Sequence, residues 1–184
     1  MDGGAPERLG YMDMDKRNAE RLFEGVLLLT DLDGTLLDRQ KHIPPRSKEA
    51  IRRFKEKGGL FSIASGRCPH SVMIVAREVE PNCPGVTMNG AVVYDFTADR
   101  LAGQTCLPEW YQRVLREVHA QFPAVGIQAY VGSDIYVVQS NEVVERLFAI
   151  EHTEQCRRET TFDTLPIRAN KVLIGAPHEE LQKV

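Results

Sequence analysis

The chain has 184 residues, of which 42% are hydrophobic and 27% charged, and its formal net charge is −3. This length suits one medium domain or one domain plus part of another, and the composition is that of an ordinary globular protein. The charge gives no general basic surface that would favour nucleic acid, and the apolar runs are too short to span a membrane. The four cysteines form no CxxC pair, so the sequence indicates neither a zinc site nor a disulfide framework and favours a reducing cytoplasm.

Residues 1–24 are polar and open with MDGGAPERLG, which predicts a disordered leader with a short helix from Asp15 to Phe23. Short apolar strands and amphipathic helices then alternate. Buried strands are predicted at 26–30, 60–64 and 86–88, with helices at about 45–58 and 69–80 between them. This order is typical of a parallel sheet with helices on its faces, and the predicted fold class is therefore α/β.

The loops DLDGT, SGR and NGA follow the three predicted strands in turn. Ligands of such sheets bind beyond the carboxyl ends of the strands. Right-handed crossovers would bring the three loops to one edge of the sheet, with the first strand between the other two.

The pattern changes after Asn89. AVVYDFTADRLAGQTC predicts a hairpin, AVGIQAYVGSDIYVV predicts two antiparallel strands, and helices and a further strand, NKVLIGAP, complete an α+β order. We therefore expect a boundary near Cys106. The predicted organisation is a leader (1–24), a parallel-sheet core (25–106) and an α+β domain (107–184).

Two carboxylates, Asp31 and Asp33, stand at the end of the first strand, where Gly34 and Thr35 follow. Adjacent carboxylates repel each other, and Mg²⁺ relieves that repulsion because it prefers hard oxygen ligands. One aspartate can then attack phosphorus while the second transfers protons. Gly34 allows a tight turn that brings backbone N–H groups toward a phosphate. The alternative is that both aspartates are ordinary turn residues.

Ser65 and Gly66 favour the chemical interpretation. They follow the second strand, where the hydroxyl and the glycine N–H can bind phosphate oxygens. A helix that begins just after them adds a favourable dipole.

LLLTDLDGTLLD, FSIASGR and VTMNGAVVYD together resemble the haloacid dehalogenase superfamily, specifically its Cof-like phosphatases with a large α+β cap. The resemblance implies a Rossmann-like core with an inserted cap from residue 107. It implies Mg²⁺-dependent hydrolysis of a small phosphorylated metabolite, such as a sugar phosphate, through an aspartyl-phosphate.

The resemblance also implies roles for individual residues. Asp31 would be the nucleophile and a Mg²⁺ ligand, and Asp33 the general acid/base whose carbonyl also binds the metal. The expected phosphate and substrate contacts are Gly34, Thr35, Ser65, Gly66 and Asn89. For Arg67 two alternatives stay open, a solvated side chain or a substrate contact.

Two further motifs of the family, a catalytic lysine and a GDxxND cluster, do not occur in the 184 residues. Lys171 is interpreted as a surface lysine beside a strand of the cap, and the histidines as surface residues. The chain thus resembles the first two-thirds of a phosphatase and is expected to be inactive by itself, with exposed apolar surface that favours self-association. A phosphomutase, or a non-catalytic fragment that binds a partner, are the alternative functions.

Overall fold

The structure is a computed structural model that describes residues 21–182. Most of the predicted leader, including residues 15–20 of its expected helix, lies outside the described residues. Residues 21–25 form a turn that leads into the first strand.

Strands and helices alternate in the first half of the described chain, and a strand-rich unit follows. The strands are β1 (Leu27–Thr30), β2 (Leu60–Ile63), β3 (Gly85–Thr87), β4 (Val92–Asp95), β5 (Arg100–Gln104), β6 (Gly126–Val131), β7 (Asp134–Gln139), β8 (Arg157–Glu159) and β9 (Lys171–Gly175). The helices are α1 (Pro45–Glu56), α2 (Pro69–Val79), α3 (Tyr111–Gln121), α4 (Glu142–Glu151) and α5 (His178–Leu181). None of the helices in residues 21–182 has the length and hydropathy that crossing a bilayer requires.

The order of the parallel strands differs from the prediction. β1 pairs with β2 in parallel from Leu27–Leu60 to Thr30–Ile63, and an isolated parallel bridge joins Ala64 to Val86. β2 therefore lies between β1 and β3, and the prediction that the first strand is central was wrong. Consecutive strands pair here because both crossovers, through α1 and α2, step in the same direction across the sheet.

β1 is also more exposed than a buried strand should be. Leu27, Leu28 and Leu29 keep 54%, 44% and 41% of their surface. Within residues 21–182, β1 pairs with β2 alone, so its other edge is open. The apolar run predicted the strand correctly, but its burial was wrong because no described element covers that edge.

The predicted hairpin is confirmed as β4 and β5, which continue antiparallel from β3. A second unit, which carries the strands from β6 to β9, has its own four-stranded sheet in the order β8-β7-β6-β9. The antiparallel pair predicted around GSD is β6 and β7, whereas β8 was not predicted because it has only three polar residues.

Three clusters of buried side chains stabilise the fold. One lies between the first sheet and helices α1 and α2, and another lies within the second unit. The remaining cluster joins the two units, because Cys68 and Met88 of the first pack with Tyr130 and Phe148 of the second. This shared cluster brings the second unit close to the ends of β2 and β3.

A substitution at Gly85, the first residue of β3, tests the packing of β3 against β2, which positions the NGA loop. A Cβ there would lie 2.5 Å from the carbonyl oxygen of Ile63, a backbone atom of β2, so Gly85→Ala forces β3 away from β2. We expect a loss of about 1–3 kcal/mol in the free energy of unfolding, measured with urea. Gly103→Ala is the control, since its Cβ meets its nearest neighbour at 3.9 Å. Equal stability of the two variants would contradict the packing.

Candidate active site

The turn after β1 presents two carboxylates while it buries the leucines around them. Leu32 is fully buried between Asp31 and Asp33, both of which are exposed. The amide of Leu36 donates to the carbonyl of Asp31 (3.2 Å), and the amide of Leu37 donates to that of Leu32 (2.9 Å). The leucines anchor the turn in the core, and the aspartates remain accessible at the end of the sheet.

Gly34 and Thr35 lie in the same turn and are exposed. Gly34 has φ +79°, and a Cβ there would meet nothing within 4 Å. Glycine is therefore favoured at this position because of its left-handed backbone conformation, and not because a side chain would lack space. The amide of Thr35 donates to the carbonyl of Leu32 at 3.4 Å, so it is directed into the turn.

Residues of the second and third loops lie directly against each other. Ser65 is buried, with its amide bonded to the carbonyl of Val86 at 2.8 Å, and its carbonyl accepts from the amide of Asn89 at 3.3 Å. The side chain of Asn89 covers Gly66 so closely that a Cβ on the glycine would lie 3.0 Å from Nδ2. The structure thus brings Ser65, Gly66 and Asn89 together at the ends of β2 and β3.

The NGA loop has an unusual backbone. Met88 and Asn89 both have positive φ, 50° and 57°, a conformation that is disfavoured outside glycine and better tolerated by asparagine. The amide of Met88 donates to the carbonyl of Arg67 at 3.0 Å. Hydrogen bonds to the SGR loop therefore hold this conformation, whose cost is of order 1–3 kcal/mol per residue.

Arg67 joins the second loop to the first. Its Nε and Nη2 donate to the two carboxylate oxygens of Asp33 at 2.8 and 2.7 Å, a bidentate ion pair, and its side chain is 9% exposed. The alternative of a solvated side chain was wrong, because Arg67 is buried against Asp33.

Lys41 is a second cation on Asp33, and sequence analysis missed it. Its Nζ lies 2.6 Å from Oδ1 of Asp33. The turn that carries Lys41 is held by Asp38, whose Oδ1 accepts from the amides of Gln40 and His42, both at 2.9 Å. Lys41 itself has φ +64°. The turn is thus preorganised to direct this lysine toward the carboxylate.

The two aspartates differ in their electrostatic environment. Arg67 and, more weakly, Lys41 lower the pKa of the Asp33 carboxyl against the opposing effect of partial burial. Since the folded-state pKa is lowered, this interaction stabilises the fold above the unfolded-state pKa and is lost as the pH falls through the folded-state value. By contrast, within residues 21–182 the Asp31 carboxylate has no side-chain partner.

The donor set of the first loop fits Mg²⁺. The free Asp31 carboxylate and the nearby Asp33 carbonyl are hard oxygens, and Mg²⁺ takes one or two such ligands while it retains several waters. No group of three or more His, Cys, Asp or Glu in the described part of the chain is arranged around a common point.

A lysine of the second unit also reaches the site. Nζ of Lys171 donates to the carbonyl of Gly66 at 2.9 Å, and the residue is half-buried. The interpretation of Lys171 as a surface lysine was wrong. Nearby, burial raises the pKa of Glu151, while Arg67 and Lys171 oppose that shift.

No local signal in the sequence identifies Lys171 or Glu151, because their partners in the first unit are distant along the chain. Lys41 is different. It lies only eight residues after Asp33, so its place in the turn that follows the first loop is a local signal in the sequence.

The sequence profile of the haloacid dehalogenase-like hydrolases matches residues 28–184. A 5-amino-6-(5-phospho-D-ribitylamino)uracil phosphatase of Bacillus subtilis is 27% identical over 86% of this chain and 58% of the relative. A pyridoxal phosphate phosphatase of Escherichia coli is 33% identical over 39% of this chain and 26% of the relative. The chain therefore spans about a quarter to three-fifths of the length of these relatives.

Solved structures share the fold. A haloacid dehalogenase-like hydrolase from Bacteroides thetaiotaomicron superposes with a TM-score of 0.73 at 25% identity, covering 86% of this chain and 60% of that one. The protein TM0651 from Thermotoga maritima gives a TM-score of 0.69 at 21% identity over 86% of this chain and 59% of its own. The class is thus an α/β protein with a Rossmann-like parallel core and an inserted α+β cap. The chain belongs to the haloacid dehalogenase-like hydrolases.

The ion pair of Arg67 can be tested by titration. Arg67→Met is expected to raise the pKa of the Asp33 carboxyl toward its usual range, because the largest stabilisation of the charged form is lost. Carbon-13 NMR of the side-chain carboxyl measures the change. Arg53→Met, which removes an exposed arginine paired with Glu49, is the control. An unchanged pKa of Asp33 in Arg67→Met would contradict the pairing.

Proposed function

We propose that this protein is a phosphatase that hydrolyses a small phosphorylated metabolite, such as a sugar phosphate, through an aspartyl-phosphate. The observation that carries the proposal is the pair of aspartates at the end of β1, one free and one held by two cations, beside Ser65 and Asn89. The similarity to a phosphatase of a phosphoribityl compound supports a polyhydroxylated substrate.

In the first step Asp31 attacks phosphorus, an O–P bond forms, and the bond from phosphorus to the leaving oxygen breaks. The hydroxyl of Ser65 and the amide of Gly66 bind phosphoryl oxygens, with Asn89 fixing their loop. Gly34 would contribute its backbone N–H from the turn, whereas Thr35, whose amide donates to the carbonyl of Leu32, would contact the substrate through its exposed side chain. Asp31 and the Asp33 carbonyl would hold Mg²⁺, which, when bound, offsets the repulsion between carboxylate and phosphate.

Asp33 gives a proton to the leaving oxygen and then takes one from the water that hydrolyses the aspartyl-phosphate. Arg67 and Lys41 favour its carboxylate form, which suits the second step. The first step needs a protonated Asp33, so at least one of the two cations must shift from it when substrate binds. Lys41 is the more mobile candidate, because its side chain is 51% exposed and that of Arg67 is 9% exposed.

The organisation of the chain follows from the same proposal. Residues 25–106 form the core that holds the catalytic loops, and residues 107–184 form the cap that covers them and selects the substrate. The four cysteines are free thiols, which supports a reducing compartment such as the cytoplasm.

The nucleophile is tested with p-nitrophenyl phosphate and Mg²⁺. The 184-residue chain is expected to turn over at least about four orders of magnitude more slowly than its relatives, because the 184 residues lack the family's lysine and GDxxND motifs. A chimera that adds the C-terminal part of a curated relative supplies both motifs and should restore activity.

In that chimera Asp31→Asn should abolish turnover, because an amide is a poor nucleophile. Asp163→Asn is the matched control, since its side chain is 87% exposed on the cap. Activity that survives Asp31→Asn would rule out the proposed nucleophile. Fast turnover by the unmodified chain would refute the expected inactivity.

The open edge of β1 supports self-association of the 184-residue chain. An exposed apolar strand edge is a template for pairing with a second copy, and a charge on that edge prevents it. Sedimentation velocity should show a concentration-dependent dimer that Leu27→Lys removes. Leu101→Lys is the control, because Leu101 is 40% exposed on another edge strand, β5. A monomer at all concentrations, or a dimer that survives Leu27→Lys, would contradict this interface.

A further inference from the structure

Lys171, a residue of the cap, contacts the SGR loop through its charged ammonium group. It is the first residue of β9 and pairs with Tyr130 of β6. Its ammonium lies 2.9 Å from the carbonyl oxygen of Gly66 and 5.3 Å from the centre of the Tyr130 ring. The residue is half-buried, and this burial lowers the pKa of Lys171 while the charge of Glu151 opposes the shift.

The peptide group that Lys171 contacts is the one that organises the loop. The carbonyl of Gly66 and the amide of Arg67 belong to the same peptide, and that amide donates to Oγ of Ser65 at 3.2 Å. A cation on the carbonyl polarises the peptide and strengthens its N–H as a donor. Lys171 therefore acts on the Ser65 hydroxyl through one peptide group, and on Asp33 through the backbone that carries the Arg67 side chain.

The backbone of Lys171, opposite its ammonium, is held through the preceding residue to the segment that joins core and cap. Its neighbour Asn170 is buried and donates from Nδ2 to the carbonyl of Thr105 (3.0 Å) and to Oε1 of Gln104 (3.1 Å). Its Oδ1 accepts from the amide of Gly132 at 2.9 Å. The start of β9 is thus held to this linker and to the β6–β7 turn. A movement of the cap must carry the ammonium with it, away from Gly66.

We propose that Lys171 is a positioning residue that couples the cap to the SGR loop, the loop proposed to bind phosphate. With the cap against the core, Lys171 holds the Gly66–Arg67 peptide and thereby the hydroxyl of Ser65. By linkage, an anion bound on that loop must in turn hold the cap against the core. The anion part of the proposal rests on the proposed function, whereas the coupling of cap and loop does not.

Cys68 provides a reporter for this coupling. It directly follows Arg67, is fully buried, and packs in the cluster that core and cap share. Its thiol can react with a disulfide reagent such as 5,5′-dithiobis(2-nitrobenzoate) only when that cluster opens. Cys83 and Cys106 are partly exposed, so both are first replaced by serine, and the modified peptide is identified by mass spectrometry.

In this background Lys171→Met should raise the rate at which Cys68 is modified by about tenfold to a hundredfold, the effect of losing one charged hydrogen bond on an opening equilibrium. Lys171→Arg retains a donor and should stay close to the parent protein. Lys57→Met removes an exposed lysine at the end of α1 and should have no effect. Urea unfolding of each variant measures the change in global stability.

Two results of this experiment would overturn the coupling. One is a rate in Lys171→Met equal to that of the parent. The other is a rise in the modification rate of Cys68 that the loss in the free energy of unfolding accounts for completely. In that case Lys171 would stabilise the fold as a whole without coupling the cap to the loop.

Inorganic phosphate with Mg²⁺ is the probe for the reciprocal effect. It should slow the modification of Cys68 in the parent and in Lys171→Arg, but not in Lys171→Met. Calorimetry of phosphate binding separates the two hypotheses. If phosphate does not bind the parent, the phosphate site of the proposed function is contradicted while the Lys171→Met result still decides the coupling. Phosphate that binds the parent without protecting Cys68 would overturn the reciprocal effect.

Discussion

The ion pair between Arg67 and Asp33 is the interaction on which the arrangement of the candidate site depends. The two residues lie on loops that follow different strands, 34 positions apart, and the pair is bidentate. A fork of this kind fixes orientation as well as distance, which a lysine in the same place would not do. Once Arg67 is fixed, its backbone positions the Ser65 hydroxyl on one side and the Met88 amide on the other. One charged contact thus links the first loop to the two loops that backbone hydrogen bonds already hold together.

Lys41 and Lys171 connect further parts of the chain to this ion pair, one from the core and the other from the cap. Lys41 brings the turn after the first loop onto the same carboxylate, and Lys171 brings the cap onto the Gly66 carbonyl. Under the proposed function, a phosphate ester would arrive among three cations. Arg67 and Lys41 are paired with the carboxylate of Asp33, whereas Lys171 contacts a carbonyl. The site therefore carries its positive charge on elements that belong to different parts of the fold, which is the basis of the proposed coupling between anion binding and the cap.

The sequence predicted the elements well where the signal is local. The strands and helices of the core, the hairpin β4–β5 and the antiparallel pair β6–β7 follow from apolar periodicity, from turn residues, and from Pro45 and Pro69, which begin α1 and α2. The resemblance of three motifs to one superfamily predicted the fold class, and the loops do meet at the ends of β2 and β3. The roles of Asp31, Asp33, Ser65 and Asn89 in catalysis remain predictions, because geometry by itself does not assign chemistry.

The errors of sequence analysis concern what is distant along the chain. The order of β1, β2 and β3 depends on the direction of two crossovers, and the exposure of β1 depends on which elements lie beside it. The partner of Lys171 lies 105 residues away, a separation that no periodicity records. The sequence does not decide between the two alternatives for Arg67 for the same reason, since its partner Asp33 belongs to another loop.

The same long separation has a consequence for how the molecule folds. Contacts between residues far apart close large loops, and their entropic cost delays them until the segments on either side are ordered. The bond from Lys171 to Gly66 can form only after the core strand β2 and the cap strand β9 both exist. We therefore expect the contact between the cap and the candidate site to form late in folding, after the loops of the core have met.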